Sequence, residues 1–134
     1  MIHRTFDVIS LIDDLMPYAD DLRLFDPYGW LENDKNIAVT NGKGSYGLLN
    51  YEEEGTYTGH HFHPLGVRGR EALSISKEML AFLFTFPEVR IMRGLTPLDK
   101  REARWAARQL GFTSLGVLPS LDRPCELFIL HRSE

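Results

Sequence analysis

Cysteine is almost missing from this sequence: Cys125 is the one thiol in 134 residues. That excludes an intramolecular disulfide and a cysteine-based zinc site, and makes a reducing compartment such as the cytoplasm the expected setting. Long apolar runs are missing as well. The greasiest stretch, around Met79 to Phe86, is far shorter than the ~20 residues that cross a bilayer. The start, Met1-Ile2-His3-Arg4-Thr5-Phe6-Asp7, lacks the apolar core of a signal peptide. Neither membrane insertion nor secretion is expected. Basic charge is not in excess, since 15 Lys and Arg stand against 19 Asp and Glu for a formal net charge of −4. A general nucleic-acid binder needs a continuous basic face, so that class is not expected either. No Gly-x-Ser-x-Gly occurs and Cys125 has no obvious base beside it, which leaves serine and cysteine nucleophiles as poor readings.

What is present is globular: 43% hydrophobic and 25% charged residues, without internal repeats or low-complexity segments. A chain of this length builds one ordinary domain, expected to cover residues 1–134. Val8, Leu11, Ile12, Leu15, Ala19 and Leu22 recur at helical spacing, with Pro17 expected to kink or divide the helix. Asp26-Pro27-Tyr28-Gly29 reads as a turn. Three β-like runs follow, Ile37 to Thr40, Tyr46 to Tyr51 and Thr56 to His63, separated by Asn41 to Gly44 and by Glu52-Glu53-Glu54-Gly55. They predict an antiparallel meander. Leu73 to Phe86 predicts a heavily buried helix stopped by Pro87, and Val89 to Leu95 a further strand. Thr96-Pro97-Leu98-Asp99 reads as a helix start with Thr as cap and Pro at the first position. The helix it opens carries Ala103, Ala106, Ala107 and Leu110 on a narrow face and ends at Gly111. Leu115 to Leu118 and Glu126 to Leu130 predict two closing strands. The class is α/β (α+β), a mixed and mostly antiparallel sheet with helices on both faces.

Candidate chemistry is concentrated in a few places. Alternation along a strand puts His61 and His63 on one face and His60 on the other, so two imidazoles can serve as bases near neutral pH. With Glu52 or Glu54 they could instead hold zinc, though a third fixed ligand is missing and exposed histidines explain the pattern as well. Glu52-Glu53-Glu54 reads most simply as a solvated turn. Phe25, Tyr28 and Trp30 read as a core or partner-binding cluster. Arg101, Arg104 and Arg108 share one helical face expected to point into solvent.

Helix, three antiparallel strands, basic loop, helix, strand, helix and two strands is an order that resembles the GNAT acyltransferases over nearly the whole chain. The local echo is Ala103-Arg104-Trp105-Ala106-Ala107-Arg108-Gln109-Leu110-Gly111-Phe112, similar to that family's last helix. Phe6 to Ser10, Asp26 to Trp30 and Arg93 to Lys100 further resemble the small GNAT-like head-assembly proteins of short-tailed bacteriophages. The resemblance implies an acetyl-CoA site in the loop after the His-bearing strand, where an Arg/Gln-x-x-Gly-x-Gly/Ala pattern and the following helix hold the pyrophosphate. Here Arg68, Gly69, Arg70, Glu71 and Ala72 occupy that loop. Arg68 matches, but Glu71 and Leu73 stand at the small-residue positions, where a side chain obstructs the phosphate and a carboxylate repels it. A shifted alignment would use Gly66 and Gly69. Lys100 and Ala107 stand where the resemblance implies a helical Asn and a proton-donating Tyr.

Three readings follow. The first is an accessory to virion head assembly in the host cytoplasm, with a phage head protein as partner and catalysis weak or absent. The second is an active acetyl-CoA-dependent N-acetyltransferase with His61 or His63 as base. The third is a non-catalytic binding module, such as a homodimer paired through an exposed strand.

Overall fold

The computed structural model describes residues 1–15, 27–119 and 123–133. In chain order the elements are β1 (His3–Arg4), α1 (Val8–Leu15), α2 (Pro27–Glu32), β2 (Ile37–Thr40), β3 (Tyr46–Glu53), β4 (Thr56–Phe62), α3 (Arg70–Leu83), β5 (Ile91–Pro97), α4 (Arg101–Gln109), β6 (Thr113–Leu118) and β7 (Cys125–His131). The strands form a 7-stranded sheet in the order β1-β2-β3-β4-β5-β7-β6. Its pairs are antiparallel except for β4 and β5. The mixed, mostly antiparallel architecture is the one expected from sequence.

Alternation along the strands builds a core on each face of the first half of the sheet. Ile37 and Val39 of β2, Leu49 of β3 and Tyr57 of β4 pack with Met79 and Leu83 of α3. Ala38, Tyr46 and Leu48 face the other way, against Leu11 and Leu15 of α1 and the partly buried Trp30 and Leu31 of α2. With both faces covered, all of β2 is buried, and its apolar run matches that environment. Close approach also explains two glycines. A Cβ at Gly47 would lie 3.2 Å from a Val39 methyl and one at Gly59 3.2 Å from the Met92 sulfur, so the layer under α3 has no spare room there.

The second half of the sheet is held differently. Phe128 of β7 is buried in it, and so is the carboxylate of Glu126, two residues away on the same face. From α4, Arg104 Nε donates to Glu126 Oε1 at 2.9 Å and Arg108 Nη2 to Oε2 at 2.6 Å, while the Arg108 guanidinium lies 5.2 Å from the Phe128 ring centre. Arg104 is therefore half-buried and not the solvent-facing residue expected from its spacing, while Arg108 stays exposed as expected and reaches the carboxylate from the surface. Glu126 recruits them because a buried carboxylate must be paired.

Other expectations are corrected. Pro27 to Gly29 form not a turn but the first turn of the short α2, where proline costs no hydrogen bond. Thr96 and Pro97 do not start a helix. They are paired with Glu126 and Cys125 at the end of β5, and α4 begins after Lys100 without a side-chain cap; the ladder to β7 outweighs the local capping signal. The turn between β3 and β4 is confined to Glu54-Gly55, where Gly55 has φ +83°, and Glu52 and Glu53 extend β3. Gly111 closes α4 at φ 95°, as its sequence implies. Phe25 and the Pro17 region lie outside the described residues.

Candidate functional site

Strands β4 and β5 run side by side only at Thr56–Ile91, Tyr57–Met92 and Thr58–Arg93. Beyond that point β4 stays paired with β3 as far as Phe62 opposite Tyr46, and β5 follows β7 as far as Pro97 opposite Cys125. Each strand is committed to a different neighbour, so the two diverge and a V-shaped gap of about 1320 Å³ opens between them. Gly59 to Phe62 line one wall, Gly94 to Pro97 the other, with Ser76, Met79 and Leu80 of α3 and Ala103 and Ala107 of α4 along the same space. The volume exceeds the ~300–1,000 Å³ of ordinary small-molecule sites.

The two faces of β4 carry different chemistry. On the α3 side, His61 Nδ1 lies 2.8 Å and His63 Nε2 2.9 Å from the hydroxyl of Ser76, and His63 Nδ1 lies 2.9 Å from the hydroxyl of Ser45. Both serines are buried, Ser45 completely. The alternation therefore brings His61 and His63 together, with ring centres 5.4 Å apart, and a serine of α3 falls between them. His61 keeps surface open to the gap, but crowding by the walls, with the neighbouring His63 and His60 adding to it, holds its pKa down to about 4. Burial also lowers His63. Both rings are neutral at pH 7 and able to accept a proton.

On the α2 side the groups are charged. Glu52 Oε1 accepts from Asn50 Nδ2 at 3.0 Å and Thr58 Oγ1 at 2.8 Å, and Arg93 Nη2 stands 3.9 Å from Oε2. These contacts, the Thr58 hydroxyl foremost, hold the carboxyl below its ordinary pKa. Trp30 Nε1 donates to Asn50 Oδ1 at 3.1 Å, fastening α2 to this wall. Burial lowers His60 while Glu52 acts in the opposite direction. Glu52 is thus not a loosely solvated turn residue; two of its partners lie in the same hairpin, and the third, Arg93, comes from β5, which local pattern cannot reveal. Among the described residues no group of three or more His, Cys, Asp or Glu side chains is placed to hold a metal.

At the end of the gap, the loop after β4 leads into α3. Gly69 has φ +65°, and a Cβ there would meet nothing within 4 Å, so this glycine serves a left-handed turn, not tight packing. The first helical bond runs from Leu73 N to Gly69 O, and no side chain caps the helix. The N–H groups of Arg70, Glu71 and Ala72 accordingly lie outside the helical ladder, with the exposed Arg68 and Arg70 beside them. Glu71 is exposed in the same turn and Leu73 partly buried. Of α3 the gap is lined from Ser76 onward, and neither Arg68 nor Arg70 lines it.

No family model matches the chain, and no curated protein matches it in sequence. Solved structures do match it in shape. An aminoglycoside acetyltransferase, AAC(6')-Ib in complex with coenzyme A, superposes with TM-score 0.75 at 16% identity over 98% of this chain and 94% of that one. The fold is that of the GNAT acetyltransferases. A GNAT-family acetyltransferase from Streptococcus pneumoniae matches with TM-score 0.74 at 11% identity over 99% of both chains. The ribosomal-protein-S5-alanine acetyltransferase from Vibrio fischeri matches with TM-score 0.73 at 10% identity over 99% of this chain and 93% of that one. No helix among the described residues is long and apolar enough to cross a membrane.

Proposed function

We propose that this chain is an acetyl-CoA-dependent N-acetyltransferase, moving an acetyl group from the thioester to an amine seated in the gap. The observation that carries the reading is the parting of β4 and β5 beside an uncapped α3. Strand edges that face each other without pairing offer backbone groups to an extended, amide-bearing ligand. An uncapped helix start offers N–H groups and the positive end of a dipole to its phosphates. Arg68 and Arg70 add charge, and Gly69 keeps the backbone approach clear. Glu71 opposes them with a carboxylate, so the expected affinity is micromolar and no tighter. The coenzyme held by AAC(6')-Ib in the structure above supports the same use of this fold here.

In the reaction the amine nitrogen attacks the thioester carbonyl carbon, the C–S bond breaks, and the nitrogen loses a proton. His61 and His63 are the proposed acceptors for that proton, because they are neutral and His61 lines the gap. Ala107 supplies no proton to the departing sulfur. A thiol with pKa near ~8.5 leaves tolerably well as the thiolate, so the missing acid costs part, and not all, of the ~10²–10⁴-fold that a positioned acid contributes. Incubation with acetyl-CoA and a panel of primary amines, with free thiol and acetylated product both measured, is expected to show protein-dependent transfer to at least one amine. Thiol release equal to the protein-free control with every amine would overturn the proposal.

A protein-partner role has one observation of its own. The edge strand β6 exposes Leu115, Val117 and Leu118, a surface that a second copy or a virion head protein would cover. Co-purification with a head component tests the assembly role, and sedimentation of the isolated chain tests the dimer.

A further inference from the structure

We infer that Ser45, His63, Ser76 and His61 act as one proton relay, which takes a proton at His61 Nε2 on the wall of the gap and holds the resulting charge on His63. The proton's source, an acceptor amine, rests on the acetyl-transfer reading; the relay itself rests on geometry. One hydroxyl, Ser76, touches both rings at 2.8 and 2.9 Å. It owns a single proton and can donate to one ring, so the other ring must donate to it. When Ser76 donates to His63 Nε2, His61 carries its proton on Nδ1. The proton of His63 then sits on Nδ1 and is donated to Ser45, 2.9 Å away. In the opposite arrangement Ser45 donates to His63 Nδ1, His63 Nε2 donates to Ser76, and Ser76 donates to His61 Nδ1. The neutral rings therefore always share a tautomer.

The first arrangement leaves His61 Nε2 bare, and it is the ring nitrogen that Ser76 does not occupy. When the amine nitrogen, made cationic by its attack on the thioester carbon, gives up a proton there, its N–H bond pair stays on that nitrogen and a new N–H forms on His61. The Nδ1 proton of His61 passes to Ser76 Oγ, and the Ser76 proton passes to His63 Nε2. One proton has entered; His61 is again neutral, and His63 is a cation donating to Ser76 on one side and Ser45 on the other. The surroundings favour that division. Among the described residues the groups bonded to the pair are neutral, Ser76 from α3 and Ser45 from the turn before β3, and Gly47 of β3 stands opposite His61. As a cation His63 has a serine hydroxyl to receive each of its N–H groups, whereas His61 has one at Nδ1 alone. Burial foremost, then His63 and His60, also disfavours charge on His61. A buried hydroxyl held between two imidazoles also agrees with the rule that interior polar groups are fully paired, so the test must separate a relay from a static network.

Long-range ¹H–¹⁵N NMR of the whole, ligand-free chain reads the tautomer of each ring directly. The expected result is the same tautomer on His61 and His63 near pH 7, loss of that match in Ser76→Ala, and the first added proton appearing on His63. Opposite tautomers in the unaltered chain, or a first proton on His61, would overturn the relay. This readout uses no acetyl-CoA, so it stands or falls apart from the acetyl-transfer reading. His63→Gln keeps a hydrogen-bonding group but cannot take up a proton. In the transfer assay it is expected to lower kcat at least ~10-fold with the KM for acetyl-CoA unchanged. A kcat equal to that of the unaltered chain would also contradict the relay.

Discussion

The two halves of the sheet are held together by different forces. From β1 to β4 the sheet is covered on both faces and buries Ile37, Val39, Leu48, Leu49 and Tyr57. From β5 to β7 only Met92, Glu126 and Phe128 are buried and every residue of β6 is exposed; α4 is tied down by two arginines on one carboxylate. The first half is an apolar block packed on both faces. The second is a thinner layer whose attachment depends on charge, and the candidate site lies along the seam between them. Met92 of β5 packs into the core of the first half, so the seam is closed by apolar packing at one end and open where β4 and β5 part.

Cutting into the block should cost most. Leu49→Ala, at a position 1% exposed, is expected to lose ~2–5 kcal/mol in urea unfolding. A smaller loss would mean that the surrounding layer collapses into the space. Glu126→Gln leaves Arg104 and Arg108 without their carboxylate. Its expected signature is faster amide hydrogen exchange in α4 and β6 with little change in β2 and β3, and equal acceleration in both halves would contradict the division.

The halves should also separate by pH. The depressed pKa of His61, about 4 against an ordinary 6.5, means that the unfolded chain binds the proton first. Stability therefore falls as pH drops through that window, with His60 and His63 adding in the same direction. His61→Gln should flatten this limb. Glu126 is held below the ordinary carboxylate value, by Ser114 first and the arginines after it. Its stabilisation is present above about pH 4.5 and is lost only as pH falls further, so Glu126→Gln should flatten a separate, more acidic limb. The smallest effect is expected at the fastening of α2. Trp30→Phe removes the bond to Asn50 and should cost only ~0.5–1.5 kcal/mol, read by urea unfolding.

Most of the architecture was legible in the sequence because period and punctuation agree with tertiary environment in β2, β3, β4 and α3. Where local signals compete with pairing, pairing wins. Thr96-Pro97 carries a strong helix start yet extends β5, because β7 offers a complete ladder. Arg104 and Arg108 have the spacing of a solvent face, and nothing nearby in sequence announces Glu126, which lies 22 and 18 positions further along. The pairing of His61 with His63 follows from alternation alone. Ser76 between them does not, since it reads as an ordinary polar residue in an apolar helix.

The measurement that tests the central claim most directly is calorimetric titration of acetyl-CoA into the unaltered chain and into the Arg68→Ala, Arg70→Ala double variant. The site at the seam predicts micromolar binding, weakened about tenfold for each arginine lost if each contributes one charge-assisted contact to phosphate. Binding that is unchanged in the double variant, or no heat with millimolar acetyl-CoA, would contradict it.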